Sequence, residues 1–491
     1  MAAPPAGGTP APSSHENAVL LLATLGTSMV AIDSTIVILA LPTMAKELAS
    51  PLETVIWTIL IYLLITTALT TQAGRIGDLL GRGPVYNAGF AVFTIGSAMS
   101  GFAPTGEFLI AARAVQAVGG AVMWANATAL ISLVFPPQRR GRAFGFQVFG
   151  WSVGAILGIL LGGVITTALG WRYIFFINLP IGIFAVLLGL RTLPKTQRIS
   201  TSFDVPGFVS FSVALTAICY GAIEVAANGV TEAYLGYVLL GLLLLPVFVV
   251  LELRNPRPMI DLRQLNDRML GFSLIAGLLQ AIGYLSVIFL LTMYLQGVRG
   301  LSPLNASLLL IPGYLVGAAA GPLVGRHVDR LGSRGLATAG ILAMGGAVLL
   351  YTTLGVDSWL GWVPVISTVG GLGSGLFFPA NTTAIMGRAT PATFGSISGL
   401  RGTLTNMGTL LSFVITLSIA SASVPRYVAY EVFLGTTNLV GGIGQQFLDG
   451  LHQALLGSAL ILAVAALLSW TRGNSDRARP VGEPVATEPA G

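Results

Sequence analysis

Long apolar segments recur along almost the whole chain, and they restrict the fold more than any other feature. Fourteen segments reach the ~20 predominantly apolar residues that a membrane-spanning helix requires. They cover approximately residues 18–42, 52–73, 84–103, 106–134, 142–167, 172–193, 206–227, 233–253, 269–297, 303–325, 335–354, 359–386, 395–421 and 450–471. Only 9% of the 491 residues are charged, whereas about a quarter of a soluble domain is charged. The pattern predicts an all-α integral membrane protein with 14 transmembrane helices.

The basic residues predict how the chain is oriented. Of the 25 Lys and Arg residues, nineteen fall in connections on the side of the two termini and four on the other side. Short cytoplasmic loops carry such an excess of positive charge. We therefore predict a multi-pass protein of the cell membrane with both termini in the cytoplasm. Because the basic residues are scattered among short loops, a nucleic-acid-binding face is not expected.

An internal repeat relates two parts of the chain. The segment Gly74–Gly81 has the pattern Gly-Arg-x-x-Asp-x-Leu-Gly, and Gly325–Gly332 has the same pattern 251 residues later. Ala125–Ala129 returns as Ala380–Ala384, at an offset of 255. At an offset of 254, three glycines also return, which pairs Gly141 with Gly395, Gly145 with Gly399, and Gly154 with Gly408. The alternative is a chance similarity within a chain rich in glycine and alanine.

The repeat predicts the domain organisation. Both copies of the loop lie on the same side, so the repeats are parallel, and helices 2, 4 and 5 match helices 10, 12 and 13. We predict a six-helix bundle over 18–193, an inserted pair of linker helices (7 and 8) over 206–253, and a second six-helix bundle over 269–471. Residues 1–17 and 473–491 are polar and rich in Pro, Ala and Gly, and we predict disordered tails there.

Several local motifs resemble those of one family of transporters. The loop from Gly74 to Arg82 resembles the cytoplasmic loop signature of the major facilitator superfamily, whose halves are parallel repeats. The segment Ala31–Val37, which contains Asp33, resembles the first-helix motif of its fourteen-helix drug:proton antiporter branch. Further matches to that branch are Trp57 and Tyr62 in helix 2, Arg113, Gln116 and Gly119 in helix 4, and Trp171 to Pro180 at the entry to helix 6.

This resemblance implies a secondary transporter that exports small amphipathic molecules in exchange for protons, by alternating access and without a cofactor. A proton-coupled importer or facilitative carrier of one metabolite remains an alternative, as does a membrane sensor or scaffold. The chain lacks the phosphate-binding loop of ATP-driven pumps, and no nucleophile-base or metal-ligand set is visible, so neither an enzyme nor a metal site is predicted. The expected partners are protons, a small-molecule substrate and the lipid bilayer, and we expect a monomer.

Asp33 and Arg113 are ionisable residues inside predicted spans. A charge at the centre of a spanning helix costs at least ~2.5 kcal/mol on insertion scales, so it usually faces a cavity or a partner. Counted from the outer ends of their helices, both residues lie ~9 to 14 Å deep, and we predict that they form a proton-coupling pair. The alternatives are a carboxylate that only pins helix 1, and an arginine that ties helices together permanently or extends outward.

The two copies of the loop are predicted to act as a gate. A carboxylate four residues after a loop glycine can interact with a helix N-terminus, and nearby arginines can pair with acids or headgroups. The predicted gating residues are Gly74, Asp78, Gly81, Arg82, Gly325, Asp329, Arg330 and Gly332. The alternative is that these loops only determine topology.

Helix 5 has a glycine at every fourth position, at Gly150, Gly154, Gly158 and Gly162. Small residues at this spacing let another helix approach closely. The antiporter motif of this helix has proline after the third glycine, whereas this chain has Ile159. We therefore favour a packing role over a kink, with gating as the alternative.

Ten polar and aromatic residues are candidates for a central substrate cavity. Aromatic rings can receive an organic or cationic ligand. The candidates are Trp57, Tyr62, Gln116, Trp124, Asn126, Gln280, Tyr284, Tyr294, Phe377 and Asn381. For each of them, packing or an interfacial position is the alternative. The absence of a second acidic residue deep in either predicted bundle argues for neutral, zwitterionic or monovalent substrates.

Overall fold

A computed structural model describes residues 14–50, 52–194, 204–256, 258, 260, 262–391, 393–423 and 443–473. These residues form fifteen α-helices and no strand. The helices are α1 (Ser14–Glu47), α2 (Leu52–Leu80), α3 (Arg82–Gly101), α4 (Gly106–Val134), α5 (Pro137–Ala168), α6 (Tyr173–Phe176), α7 (Asn178–Thr192), α8 (Val205–Asn228), α9 (Glu232–Arg254), α10 (Arg268–Met293), α11 (Pro303–Leu331), α12 (Ser333–Tyr351), α13 (Trp362–Met386), α14 (Phe394–Ser423) and α15 (Ile443–Thr471). A short 3₁₀ helix (Leu262–Asn266) precedes α10, and a π-helical turn (Tyr294–Val298) follows it.

Local sequence explains where several helices begin and end. The Thr105 side chain accepts a hydrogen bond from the backbone N–H of Phe108 and caps α4. Pro180 lacks an N–H and its ring crowds the carbonyl of Phe176, which accounts for the break between α6 and α7. Gly81 and Gly332, equivalent in the sequence repeat, separate α2 from α3 and α11 from α12 with φ angles of +100° and +85°. A side chain would be strained at both positions.

Twelve segments of the described residues are long and apolar enough to cross a membrane. Helices α3 and α14 are outside this set, and α6 and α7 together form one of its members. The all-helical membrane class is therefore confirmed, while the count of fourteen spans stays a prediction. Of the predicted tails, residues 1–13 and 474–491 lie outside the described residues, whereas Ser14 to Asn17 are helical and begin α1.

The helices pack as two groups with a pair beside them. In the first half, α1 packs on α5, α2 on α4, and α3 on both α4 and α7. In the second half, α13 packs on α11 and α12, while α10 packs on α14 and α15. The two halves meet along α5 with α11 and along α2 with α14. Helices α8 and α9 pack on each other, and α8 also contacts α2 and α14.

Two ends of the molecule are distinguished below. The terminal face is the end at which α1 begins at Ser14 and α15 ends at Thr471. The opposite face is the other end, where α1 ends at Glu47 and α4 begins at Gly106. Counted along α4, Arg113 lies near the opposite face and Thr128 near the terminal face.

Candidate functional site

Asp33 of α1 and Arg113 of α4 form an ion pair inside the first half. The Arg113 Nη1 atom lies 2.8 Å from Oδ1 and 2.7 Å from Oδ2 of Asp33. The two side chains are 0% and 2% exposed, respectively. Because both charges are away from solvent, each one would be left uncompensated without the other. The role of this pair in proton coupling stays a prediction.

Gln116 and a backbone carbonyl complete the contacts of the pair. The Gln116 Nε2 donates to Asp33 Oδ1 at 2.9 Å, and its Oε1 accepts from Arg113 Nη1 at 2.8 Å. Arg113 and Gln116 are three residues apart, so they lie on one face of α4. The Arg113 Nε donates to the carbonyl oxygen of Thr58 on α2 at 3.2 Å. The network thus joins α1, α2 and α4.

Aromatic rings cover the arginine of this network. The Arg113 guanidinium carbon lies 4.5 Å from the ring centroid of Tyr62 and 5.8 Å from that of Phe175. The Tyr62 hydroxyl is buried and has no hydrogen-bond partner among the described residues. Trp57 is one turn earlier on α2, but its ring faces Tyr220 of α8, with the ring centroids 5.9 Å apart. Tyr62 and Gln116 therefore belong to the ion-pair site, and Trp57 packs on the α8–α9 pair.

Asp78 belongs to the last turn of α2, and not to a loop as its motif predicts, and it connects the first half to the second half at the terminal face. Its carboxylate accepts hydrogen bonds from the backbone N–H groups of Gly395 and Ser396, each at 3.1 Å, at the start of α14. The Arg82 Nε donates to Asp78 at 2.8 Å, and its Nη2 donates to the carbonyl oxygen of Pro391 at 2.6 Å. A carboxylate at a helix N-terminus is stabilised by the free N–H groups and the helix dipole. These contacts link α2 and the start of α3 to the start of α14 at the terminal face.

Glycines of the two loops make reciprocal contacts across the halves. A Cβ atom on Gly74 would collide with the backbone of Gly395, and one on Gly325 would collide with that of Gly141. The repeat pairs Gly74 with Gly325 and Gly141 with Gly395, so the two contacts are equivalent. The repeat is therefore also a symmetry of the folded interface. The side chains of Asp329 and Arg330 lie outside the described part of the structure.

The glycines of α5 lie against α1. Cβ atoms on Gly150, Gly154 and Gly158 would collide with Thr24, Ser28 and Thr35, respectively, or their neighbours. Gly162 continues the ladder toward the opposite face and is buried. The close approach brings α1, which carries Asp33, directly onto α5 within the first half. This geometry agrees with packing as the function of the ladder.

A small cavity lies in the second half beside the interface. It is lined by Leu274, Gly277, Gln280, Phe377, Phe378, Asn381, Thr382, Ile385, Arg401 and Thr405. Three of the predicted cavity residues, Gln280, Phe377 and Asn381, are among them. Tyr284 lies one turn from Gln280, with its hydroxyl against Gly370. Trp124 lies across the interface in the first half, edge-on to Trp151 with the ring centroids 5.6 Å apart.

The two asparagines of the repeat hold helices together. The Asn126 Nδ2 donates to the carbonyl oxygen of Ala73 at 3.0 Å and so ties α4 to α2. The Asn381 Nδ2 donates to the carbonyl oxygen of Ser273 at 3.0 Å, and its Oδ1 accepts from Arg472 Nη1 at 2.9 Å. Asn126 is therefore a tie between helices and does not line the described cavity. Asn381 is both a tie and part of the cavity wall.

Tyr294 lies away from the cavity, near the opposite face. Its hydroxyl donates to the carbonyl oxygen of Gly355 at 2.8 Å, and Arg299 approaches the same hydroxyl at 3.3 Å. The residue begins the π-helical turn that follows α10. The sequence gives its position along the helix, but the change of helix type redirects its side chain to the loop.

Sequence reasoning did not single out Arg401, which lines the cavity. Its Nη2 donates to Thr128 Oγ1 of α4 at 3.0 Å, across the interface between the halves. Gln147 of α5 approaches the same hydroxyl at 3.4 Å. The feature that marks Arg401 in the sequence is a charged residue inside a predicted span. Its position at the interface depends on how the two halves pack.

Comparison with known proteins agrees with this architecture. The family model of the Major Facilitator Superfamily matches residues 23–413. The riboflavin transporter RibZ of Clostridioides difficile (strain 630) is 30% identical over 415 residues, which cover 84% of this chain and 89% of that protein. The multidrug resistance protein Stp of Mycobacterium tuberculosis (strain CDC 1551 / Oshkosh) is 30% identical over 491 aligned positions, covering 92% and 91%. The tetracenomycin C resistance and export protein of Streptomyces glaucescens is 30% identical over 394 residues, covering 79% and 73%.

One solved structure has a similar fold. The crystal structure of the human organic anion transporter MFSD10 (TETRAN) superposes with a TM-score of 0.61 and 15% sequence identity. The superposition covers 91% of this chain and 99% of the human chain. At this identity the likeness concerns the fold alone.

Proposed function

Because the chain belongs to the major facilitator superfamily, we propose that it is a proton-coupled secondary transporter that exports small amphipathic molecules by alternating access. The observation that carries this proposal is the buried network of Asp33, Arg113 and Gln116. It places a carboxylate that can take up a proton at the junction of three helices. Relatives of this chain include proteins named for drug resistance and export, which supports export of multidrug type.

The proposed coupling step follows from the charge of Asp33. In the ionised state, Asp33 binds Arg113 and Gln116. When Asp33 takes up a proton, it loses most of its attraction for the guanidinium, so α1 and α4 become free to shift relative to each other. Loss of the proton restores the pair. A ligand or proton moves such an equilibrium only as far as it binds the two states differently, and the buried pair provides that difference.

The proposed gate is the set of contacts between the halves at the terminal face. In this proposal, the hydrogen bonds from the start of α14 to Asp78 of α2, together with the reciprocal glycine contacts, keep this face closed. We assign the terminal face to the cytoplasm from the excess of Lys and Arg in its loops. Export then requires that these contacts open to admit substrate from the cytoplasm. In the proposed topology, fourteen helices form two six-helix bundles, and α8 and α9 are the inserted pair.

Transport of one specific metabolite, by proton-coupled import or by facilitated diffusion, is the second candidate on the same fold, because one relative is named as a riboflavin transporter. The direction of coupling distinguishes the two. In proteoliposomes, an antiporter accumulates external substrate when the lumen is acidic, whereas a symporter accumulates it when the outside is acidic. A panel of labelled dyes, antibiotics and riboflavin, tested under both gradients, identifies the substrate and the direction. A membrane sensor or scaffold would accumulate no compound under either gradient.

The test of the coupling residue is Asp33→Asn. We expect this variant to insert with reduced stability, because Arg113 loses its counter-ion, and to lose gradient-driven accumulation down to the level of protein-free vesicles, because the amide cannot exchange a proton. Asp357→Asn is the matched control, since Asp357 is an exposed carboxylate at the opposite face. Gradient-driven accumulation by Asp33→Asn at the wild-type rate would remove Asp33 from the mechanism.

A further inference from the structure

Arg401 is a cation at the interface between the halves that has no ion-pair partner among the described residues. It lies on α14, seven residues after Phe394, and one side of it lines the small cavity. Its one described hydrogen bond goes to the neutral hydroxyl of Thr128. Along α4, Thr128 is fifteen residues from Arg113, or ~22 Å. Arg401 is therefore separate from the Asp33 network.

Two buried donors at this place have no acceptor. The Arg401 Nε and the Trp124 Nε1 are both enclosed and without a hydrogen-bond partner in the described part of the chain. Trp124 packs against the residue that follows Arg401, because a Cβ on Gly402 would lie 3.1 Å from Trp124 Nε1. Arginine and the tryptophan indole can only donate. A buried donor without an acceptor is unfavourable, so this place favours a ligand that supplies acceptor oxygens.

The repeat shows that the packing does not require this charge. At the offset of 254 that relates α5 to α14, the equivalent of Arg401 is Gln147. Gln147 and Arg401 both approach Thr128 Oγ1, at 3.4 Å and 3.0 Å. At the offset of 255, Thr128 corresponds to Thr383, whose Oγ1 has no described partner. One half thus fills the position with a neutral amide and the other with a cation.

Aromatic and apolar surfaces adjoin the unpartnered donors. Trp124 and Trp151 are edge-on on the side of the first half, and Phe377 and Phe378 line the cavity on the side of the second half. The neutral polar groups of the cavity include Gln280. The combination of one cation, two free donors and aromatic walls suits an aromatic molecule that carries one anionic group.

We infer that Arg401, with the indole N–H of Trp124, binds the carboxylate of an aromatic amphipathic substrate at the interface between the halves. This inference rests on the proposed transport function and specifies its substrate class. The guanidinium supplies a fork of two donors that matches the two carboxylate oxygens. The negative charge of the substrate then acts as the counter-ion that the described residues do not supply.

Equilibrium dialysis of the purified full-length protein tests this inference without a pH gradient. Three tritiated probes share one ring system and differ in charge: naphthaleneacetate, naphthaleneacetamide and naphthylmethylamine. We expect the wild type to bind the carboxylate about tenfold more tightly than the amide, because a buried charge-assisted hydrogen bond has about that effect. The amine, protonated at neutral pH, should bind more weakly than the amide.

Variants separate the role of Arg401 from general packing. Arg401→Gln imitates Gln147 of the other half and should bind the carboxylate and the amide equally. Arg401→Lys keeps the charge but lacks the two-pronged donor geometry of arginine, so it should retain part of the preference for the carboxylate. It replaces Arg401→Gln as the test variant if Arg401→Gln does not fold. Arg299→Gln is the matched control, since Arg299 lies near the opposite face, and it should keep the full preference.

The outcomes distinguish this inference from the coupling mechanism. Asp33→Asn should keep the preference for the carboxylate even though gradient-driven transport is lost. If the wild type does not prefer the carboxylate over both other probes, the assignment of substrate class is overturned, whatever happens to coupling. An undiminished preference in Arg401→Gln would also overturn it. Conversely, transport by Asp33→Asn would refute the coupling proposal and leave the carboxylate site standing.

Discussion

At the depth of the ion pair, the two halves present different chemistry on equivalent helices. Helix α4 of the first half carries Arg113 and Gln116, whereas the equivalent positions of α13, at an offset of 255, are Thr368 and Gly371. Thr368 donates to the carbonyl oxygen of Val365 in its own helix. Gly371 lies directly against the backbone of α11. At this depth, the second half therefore has closely packed helices where the first half has a pair of buried charges.

The glycines at the interface, in contrast, make equivalent contacts in both halves. Gly145 of α5 lies against Gly321 of α11, and Gly399 of α14, its repeat equivalent, lies against Thr70 and Thr71 of α2. These contacts are preserved in both halves. The comparison indicates that the repeat maintains the surfaces by which the halves pack on each other, while the charges at the depth of Asp33 and Arg113 are placed in one copy only. Because a buried charge carries a free-energy cost, one copy of each of these charges destabilises the fold less than two copies would.

The largest expected effect concerns the buried pair. Arg113→Gln leaves Asp33 uncompensated, so we expect the free energy of unfolding to fall by about 3 to 5 kcal/mol. Thermal unfolding of the detergent-solubilised protein measures this loss. The double variant Asp33→Asn with Arg113→Gln should regain most of it, and Thr368→Val at the equivalent position should change it by less than about 1 kcal/mol. Equal losses in Arg113→Gln and Thr368→Val would break the contrast between the halves.

The second prediction concerns the preserved glycines. Gly145→Ala places a Cβ against the Gly321 carbonyl, and overpacking of this kind costs about 1 to 3 kcal/mol. The closed terminal face should therefore open more often. Maleimide labelling of Ser398→Cys, which is buried at the interface, measures the opening in a Cys219→Ser background.

Gly399→Ala should increase labelling to a similar degree, because it is the equivalent contact in the other half. Gly346→Ala is the control within the second half, since a Cβ there would meet nothing within 4 Å. If Gly145→Ala and Gly399→Ala differ strongly, the interface is not symmetric in function.

The third prediction concerns the contact between Asp78 of α2 and the start of α14 in the other half. Asp78→Asn removes the charge that binds the start of α14 and Arg82. Charge-assisted hydrogen bonds contribute about 1.5 to 3 kcal/mol each, but the amide oxygen retains one acceptor. We expect a several-fold rise in labelling of Ser398→Cys, smaller than that caused by Gly145→Ala. Asp357→Asn should leave labelling unchanged, and a rise there would point to a general loosening.

The smallest expected effect sharpens the comparison within the first half. Glu47 and Arg172 form an ion pair at the opposite face with side chains 45% and 38% exposed. Exposed pairs contribute about 0 to 1 kcal/mol. Glu47→Gln should therefore shift thermal unfolding only slightly, also because an amide oxygen can still accept from Trp171 Nε1. A destabilisation comparable with that of Arg113→Gln would show that burial is not what makes the inner pair important.

Much of the candidate site follows from local sequence. Asp33 and Arg113 are at similar depths, and the energetic cost of charges in lipid leads to the expectation that they meet. The structure places them in contact. Asn126 and Tyr294 show the limit of such reasoning. Polarity marks both as candidates, but side-chain direction assigns Asn126 to a tie with α2 and Tyr294 to a loop contact.

The sequence by itself determined the membrane class, the repeat and the buried charges, because hydropathy, offset and charge count are properties of the chain alone. The tertiary structure decided which groups face one another across the halves. Arg401 is an isolated charge in the sequence, and only the packing of α14 against α4 brings it to Thr128 and Trp124. The physical reason is that sequence periodicity shows which residues share a helix face. Which other helix lies against that face depends on close packing between segments that are far apart in the chain.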